Sequence, residues 1–216
     1  MIVVHHLENS RSQRVLWLLE ELQLPYEVQR YARDPKTMLA PASLRAVHPL
    51  GKSPVITDDD RTIAETGAIV DYLIERYGNG RLIPPAGSED RLRYTYWLHF
   101  AEGSAMPPLV MSLVFDQVGK RAPWPIRPVA RAIGRQVEAG YLGPTKRDQL
   151  DFIENTLAGQ SWFAGDAFSG ADIMMSFPLE RSAPGARPHI RAFLDRIHAR
   201  PAYKAALEKG GAYAYG

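Results

Sequence analysis

The chain contains no cysteine among its 216 residues, which removes disulfide bonds, thiolate metal sites and a protein thiol nucleophile together. No window approaches the roughly 18 apolar residues of a membrane-spanning helix. Met1-Ile-Val-Val-His-His lacks a basic segment followed by a long apolar one, so no secretory leader is expected. One-sided charge is missing as well: 26 basic against 24 acidic residues leave a formal net charge of +2. That excludes a strong general field for nucleic acid or for an anionic membrane. The patterns His-Glu-x-x-His, Gly-x-Ser-x-Gly and the phosphate loop do not occur, and Gly78-Asn-Gly80 follows a helical pattern rather than a strand. His5 and His6 are neighbours on an extended run, so they point to opposite faces and cannot share a metal. What these gaps leave is a cytoplasmic protein with no metal, no nucleic acid and no membrane among its partners.

The apolar content of 45% is enough for packed cores, and the length suits one large domain or two small ones. Ile2 to His6 is a short β-branched run. Ser10 to Gln23 follows with apolar residues at Val15, Leu18, Leu19 and Leu22, the spacing of an amphipathic helix. Leu24-Pro25 stops that helix and Tyr26 to Tyr31 reads as a second strand, parallel to the first. Asp34 to Val47 is a loop with a short helix. Pro54 to Thr57, an acidic turn Asp58-Asp59-Asp60, and Arg61 to Ile63 form a small hairpin. Thr66 to Tyr77 repeats at helical spacing, completing β-α-β-α-β-β-α. The glycine- and proline-rich segment 79–88 is read as a linker between a domain over 1–78 and an all-helical domain over 89–216. In the second domain Pro107-Pro108 must kink or restart a helix. Phe168-Ser-Gly-Ala-Asp-Ile173 is a helix start with Ser169 as N-cap and Asp172 closing a capping box.

Three places could hold a small charged ligand. In Asn9-Ser10-Arg11-Ser12, between strand and helix, a hydroxyl sits over a helix N-terminus; the plainer role of Ser10 or Ser12 is to cap that helix. Lys52-Ser53-Pro54 opens a strand at a position where a cis X-Pro bond turns the backbone of Ser53 outward, although it also serves as an ordinary strand start. Glu65-Thr66 stands before a helix, where free N–H groups and a hydroxyl gather; a cap alone would look the same. Arg127, Arg131 and Arg135 form a charged stripe of the kind that faces solvent.

Taken in this order, the strand-serine-helix start, Val47-His-Pro-Leu-Gly-Lys-Ser-Pro-Val-Ile, Ala64-Glu-Thr-Gly-Ala-Ile-Val-Asp-Tyr-Leu and Phe168-Ser-Gly-Ala-Asp-Ile resemble a cytosolic glutathione transferase, in particular the bacterial and fungal serine-type members. The resemblance covers essentially the whole chain. It implies a thioredoxin-like N-terminal domain, a helical C-terminal domain and a homodimer. It also implies a thiol-activating hydroxyl four residues before Arg14, at Ser10, with Ser12 and Asn9 as alternatives. The positions that match glutathione contacts are Lys52 for the glycyl carboxylate, the backbone of Ser53 before a cis Pro54 for the cysteinyl part, and Glu65 with Thr66 for the γ-glutamyl end. Thr66 replaces the family's usual serine and keeps its hydroxyl. Glutathione would be co-substrate, attacking an apolar electrophile held against the helical domain, with peroxidase activity alongside. Disulfide reduction by bound glutathione and a non-catalytic glutathione-binding module are the other activities this resemblance allows. Leu109, Met111, Ser112 and Phe115 are the expected electrophile wall, on the expectation that the proline kink aims this segment at the domain cleft.

Overall fold

Helix α1 (Ser12–Leu22) lies at the centre of the molecule because it is apolar on nearly every face. Val15, Leu16, Trp17, Leu18 and Leu19 are all buried, as expected of a helix hydrophobic all round. The computed structural model describes residues 1–34, 37, 39–182 and 185–214. On one side of α1 is a four-stranded sheet of β1 (Ile2–Leu7), β2 (Tyr26–Tyr31), β3 (Val55–Asp58) and β4 (Arg61–Ala64), in the order β2-β1-β3-β4. β1 and β2 are parallel, with Ile2 opposite Tyr26, while β3 runs antiparallel to both β1 and β4. Gln23 in the left-handed region ends α1, and Pro25 prevents its continuation. With α2 (Ala42–Val47) and α3 (Thr66–Tyr77), the observed order is the expected β-α-β-α-β-β-α.

The hairpin differs in one respect from its sequence reading. Asp58 belongs to β3 and is buried, accepting hydrogen bonds from Tyr72 Oη at 2.7 Å and from Tyr77 Oη. Only Asp59 and Asp60 make the turn. The two tyrosines on α3 supply the partners that a buried carboxylate requires.

The second half is helical: α4 (Glu89–Phe100), α5 (Met106–Arg121), α6 (Arg127–Val137), α7 (Gly143–Gly159), α8 (Gly170–Arg181), α9 (Pro188–Ala199) and α10 (Pro201–Gly210). Pro107-Pro108 does not break the chain into separate helices. A π-helical turn at Ala101–Ala105 joins α4 directly to α5. Proline lacks the N–H that would bond four residues back, so Pro108 frees the carbonyl of Ser104, and Gln149 Nε2 on α7 donates to it at 2.9 Å.

The halves pack through α1, whose Trp17 meets Tyr203 edge-on at 5.2 Å and Phe168 at 5.5 Å. Arg200 grips Glu21 with two bonds of 2.5 and 2.8 Å. At the start of α8 an added Cβ on Gly170 would lie 2.7 Å from Ile74 Cδ1 of α3, so a larger residue there would require the Ile74 side chain to move. The capping box is formed. Asp172, fully buried, accepts from Phe163 N at 2.8 Å, Ser169 N at 2.8 Å and Ser169 Oγ at 3.0 Å. Asp172→Ala would leave these donors unpaired and is expected to destabilise the fold by about 3 kcal/mol or more, since each buried orphan costs about 1–3 kcal/mol. Thermal unfolding monitored by circular dichroism checks this, and an unchanged melting temperature would show that water replaces the carboxylate.

Candidate active site

The end of β1, the start of α1 and the strand opening at Ser53 converge. Ser10 Oγ lies 2.7 Å from Ser12 Oγ and donates to Ser53 Oγ at 3.3 Å, while accepting from the Ser12 backbone N–H at 3.3 Å. Ser10 thus stands one residue before the N-cap Arg11, takes the first free N–H of α1 and sits at its positive end. Ser12 is fully buried, with its hydroxyl 2.9 Å from His6 Nδ1. Asn9 adopts φ 50, and its Oδ1 accepts from Ala214 N at 2.9 Å. Of the three candidate side chains Asn9, Ser10 and Ser12, one is thus held by the C-terminal segment and one by a buried imidazole. Ser10, at 7% exposure, lies nearest to solvent of the two serines.

The Ser53-Pro54 bond is cis. Ser53 Oγ donates to His5 O at 3.0 Å and accepts from Leu7 N at 3.3 Å. Its side chain is thereby tied back to β1, leaving its backbone groups as the ones open to a ligand. Lys52 is exposed. Glu65 is exposed at φ 71 and ψ 125, a conformation that costs a non-glycine residue about 1–3 kcal/mol and concentrates at functional sites. Thr66 follows, buried, as the first residue of α3, whose leading N–H groups have no intrahelical partner.

Beneath this surface runs a linkage that the sequence did not reveal. Arg14 is buried at 2% exposure, donating to Met174 O at 2.6 Å, to Thr66 Oγ1 at 3.4 Å and to Glu102 Oε1. Glu102, in the π-helical turn, also takes Arg11 Nη1 at 2.6 Å. Burial alone would raise the Glu102 carboxyl, but the charges of Arg14 and Arg11 outweigh it and hold it below the usual range. One signal was available: Arg14 stands four and eight residues before Leu18 and Leu22, a lone charge on an apolar stripe.

The expected electrophile wall is divided among different surroundings. Ser112 bonds Glu138 Oε2 at 2.8 Å and Lys146 Nζ at 2.9 Å. With Phe115 it borders a cavity of about 440 Å³ between α5 and α6, which also meets Gly119, Arg131 and Glu138. Leu109 turns to a narrow gap beside Ile153 and Leu179, and Met111 is 39% exposed. At 3.6 residues per turn, Val110, Leu113 and Gln117 form a stripe opposite Ser112, Phe115 and Gly119. Val110, Leu113 and Val114 are exposed apolar side chains. Among the described residues no three His, Asp or Glu side chains could hold a metal ion, and no helix is long and apolar enough to cross a membrane.

A four-stranded sheet with a cis-proline strand opening, a polar helix start beside it and a helical half packed on α1 is a thioredoxin-like fold joined to a helical domain. Residues 10–76 match the glutathione S-transferase N-terminal domain and residues 120–201 the glutathione S-transferase C-terminal domain, and the chain belongs to the glutathione S-transferase family. It is 36% identical to glutathione S-transferase 3 of Schizosaccharomyces pombe over 97% of this chain and 88% of that protein. Among solved structures, a glutathione S-transferase from Actinobacillus pleuropneumoniae superposes with a TM-score of 0.76 at 32% identity, covering 97% of this chain and 93% of that one. A sphingomonad glutathione S-transferase complexed with glutathione gives 0.76 at 27% identity, over 97% and 98%.

Proposed function

We propose that this glutathione S-transferase ionises the glutathione thiol against Ser10 and directs the thiolate at an apolar electrophile. The observation that carries the reading is the placement of the Ser10 hydroxyl, at the N-terminus of α1 and within 3.3 Å of Ser53 beside the cis bond. Lowering a thiol of pKa about 8.5 by about two units requires roughly 2.7 kcal/mol. A charge-assisted hydrogen bond supplies about 1.5–3 kcal/mol and the helix end about 0.3–1 kcal/mol, so no general base is needed. Ser10 acts as a hydrogen-bond donor to sulfur, not as a nucleophile.

Around it, Lys52 meets the glycyl carboxylate, the backbone of Ser53 pairs with the cysteinyl part, and Glu65 with Thr66 holds the γ-glutamyl end at the α3 N-terminus. Arg14 steadies Thr66 from below. The relative solved with glutathione supports the choice of ligand. For the electrophile we assign Val110, Leu113 and Val114, exposed apolar side chains of α5, the helix that continues from the π-helical turn in which Glu102 pairs with Arg11. They are taken in place of Ser112 and Phe115, which face α6.

Steady-state conjugation of glutathione to a generic aryl halide tests this, run beside reduction of a glutathione-capped disulfide. Conjugation is expected to dominate, and Leu113→Gln to raise KM for the halide with KM for glutathione unchanged. Faster disulfide turnover would make the protein a reductase. Absence of both activities with glutathione still bound would make it a binding module.

A further inference from the structure

His6 lies behind the serine loop, 4% exposed, with Nδ1 2.9 Å from Ser12 Oγ. Ser12 Oγ is in turn 2.7 Å from Ser10 Oγ. A continuous path of hydrogen-bonding groups therefore joins a buried imidazole to the hydroxyl assigned to the thiol.

Each hydroxyl carries one hydrogen, so the direction of this chain follows from which ring nitrogen is protonated. With the proton on Nε2, Nδ1 accepts from Ser12, Ser12 accepts from Ser10, and the Ser10 hydrogen points into the protein. Ser53 Oγ, at 3.3 Å, is a second inward acceptor for that hydrogen. With the proton on Nδ1 the order reverses: His6 donates to Ser12, Ser12 to Ser10, and the Ser10 hydrogen is displaced from Ser12, leaving only the longer bond to Ser53 Oγ to compete with the ligand. Only this second arrangement gives a thiolate its donor.

We propose that His6 is a positioning residue for thiol activation: acting through Ser12, it turns the Ser10 hydroxyl from an inward bond into a donor aimed at the glutathione sulfur. The inference rests on the reading of Ser10 as the partner of the thiol. The proton balance is simple. The thiol proton leaves to solvent, and His6 exchanges an Nε2 proton for one on Nδ1, neutral in both states. Burial, together with the positive charge of Arg30 on β2, pushes His6 down to about 4. The ring is therefore neutral at physiological pH and free to change tautomer.

The test follows the thiolate ultraviolet absorbance of bound glutathione against pH in the wild type, Ser10→Ala, Ser12→Ala, His6→Phe and His6→Asn. An asparagine amide nitrogen reaches about the position of imidazole Nδ1 and can donate. In Ser12→Ala and His6→Phe the bound thiol pKa is expected to rise by about one unit, with glutathione affinity at about pH 5.5, where the bound thiol is protonated, within about twofold of wild type. His6→Asn should return it toward the wild-type value. In the wild type, the nitrogen chemical shifts of His6 should change from the Nε2–H to the Nδ1–H pattern on binding glutathione. An unchanged thiol pKa in Ser12→Ala and His6→Phe, while Ser10→Ala raises it, would overturn the role of His6 and leave that of Ser10. An unchanged pKa in Ser10→Ala would overturn the Ser10 reading itself. If His6→Phe does not fold, Ser12→Ala and the wild-type nitrogen shifts decide.

Discussion

Ser10→Ala is expected to lower kcat/KM for glutathione conjugation about 10- to 150-fold, the equivalent of one charge-assisted hydrogen bond of about 1.5–3 kcal/mol. The loss should shrink as pH rises, because above the pKa of the free thiol the variant's glutathione ionises without help. KM for glutathione should change little, since the tripeptide's charged ends are held elsewhere. This combination separates thiol activation from a merely structural cap: loss of the bond from Ser12 N–H to Ser10 Oγ would lower stability by about 1 kcal/mol without a pH-dependent rate effect. Ser12→Ala should fall less than Ser10→Ala. The reverse order would move the thiol's partner to Ser12, although that side chain is fully buried against His6.

Glu102→Ala is expected to destabilise the fold by about 3 kcal/mol. It leaves Arg14 buried with a carbonyl and a hydroxyl but no counter-charge, and breaking a buried ion pair from one side costs about 3–5 kcal/mol. The lower figure is appropriate because Glu102 retains 27% exposure. Arg14 also bonds Thr66, so weaker glutathione binding should accompany the loss. The pH dependence has a definite sign. The folded Glu102 carboxyl lies below its unfolded value, so its contribution is present above the ordinary carboxylate pKa of about 4.3 and is lost as pH falls through the folded value. Wild-type stability should therefore drop in acid, and Glu102→Gln should flatten that drop. Denaturant titrations across this range would show it; parallel curves for the two proteins would mean that other carboxylates carry the acid sensitivity.

Local signals were legible wherever the backbone alone decides. Leu24-Pro25, the β-branched runs and the periodicity of residues 66–77 supplied the order of elements. Ser169 and Asp172 announced a helix start that the structure contains. Lys52-Ser53-Pro54 and Glu65-Thr66 could be seen as a strand opening and a helix start because those features require particular residues at adjacent positions.

What the sequence determined by itself was this order of elements, the exclusion of cysteine chemistry and the segments able to face a ligand. Tertiary structure alone decided which side chains meet. Asp58 reads as turn acid until Tyr72 and Tyr77 come over it from α3. Arg14 and Glu102 are 88 residues apart in the chain, and no local pattern encodes their contact. The facing of α5 depends on the π-helical turn before it. Such a turn inserts about one residue into the helical ladder and rotates every later side chain by about 100°, and Ser112 and Phe115 face α6. Periodicity specifies spacing within an element, whereas phase, partner and burial arise only when elements pack.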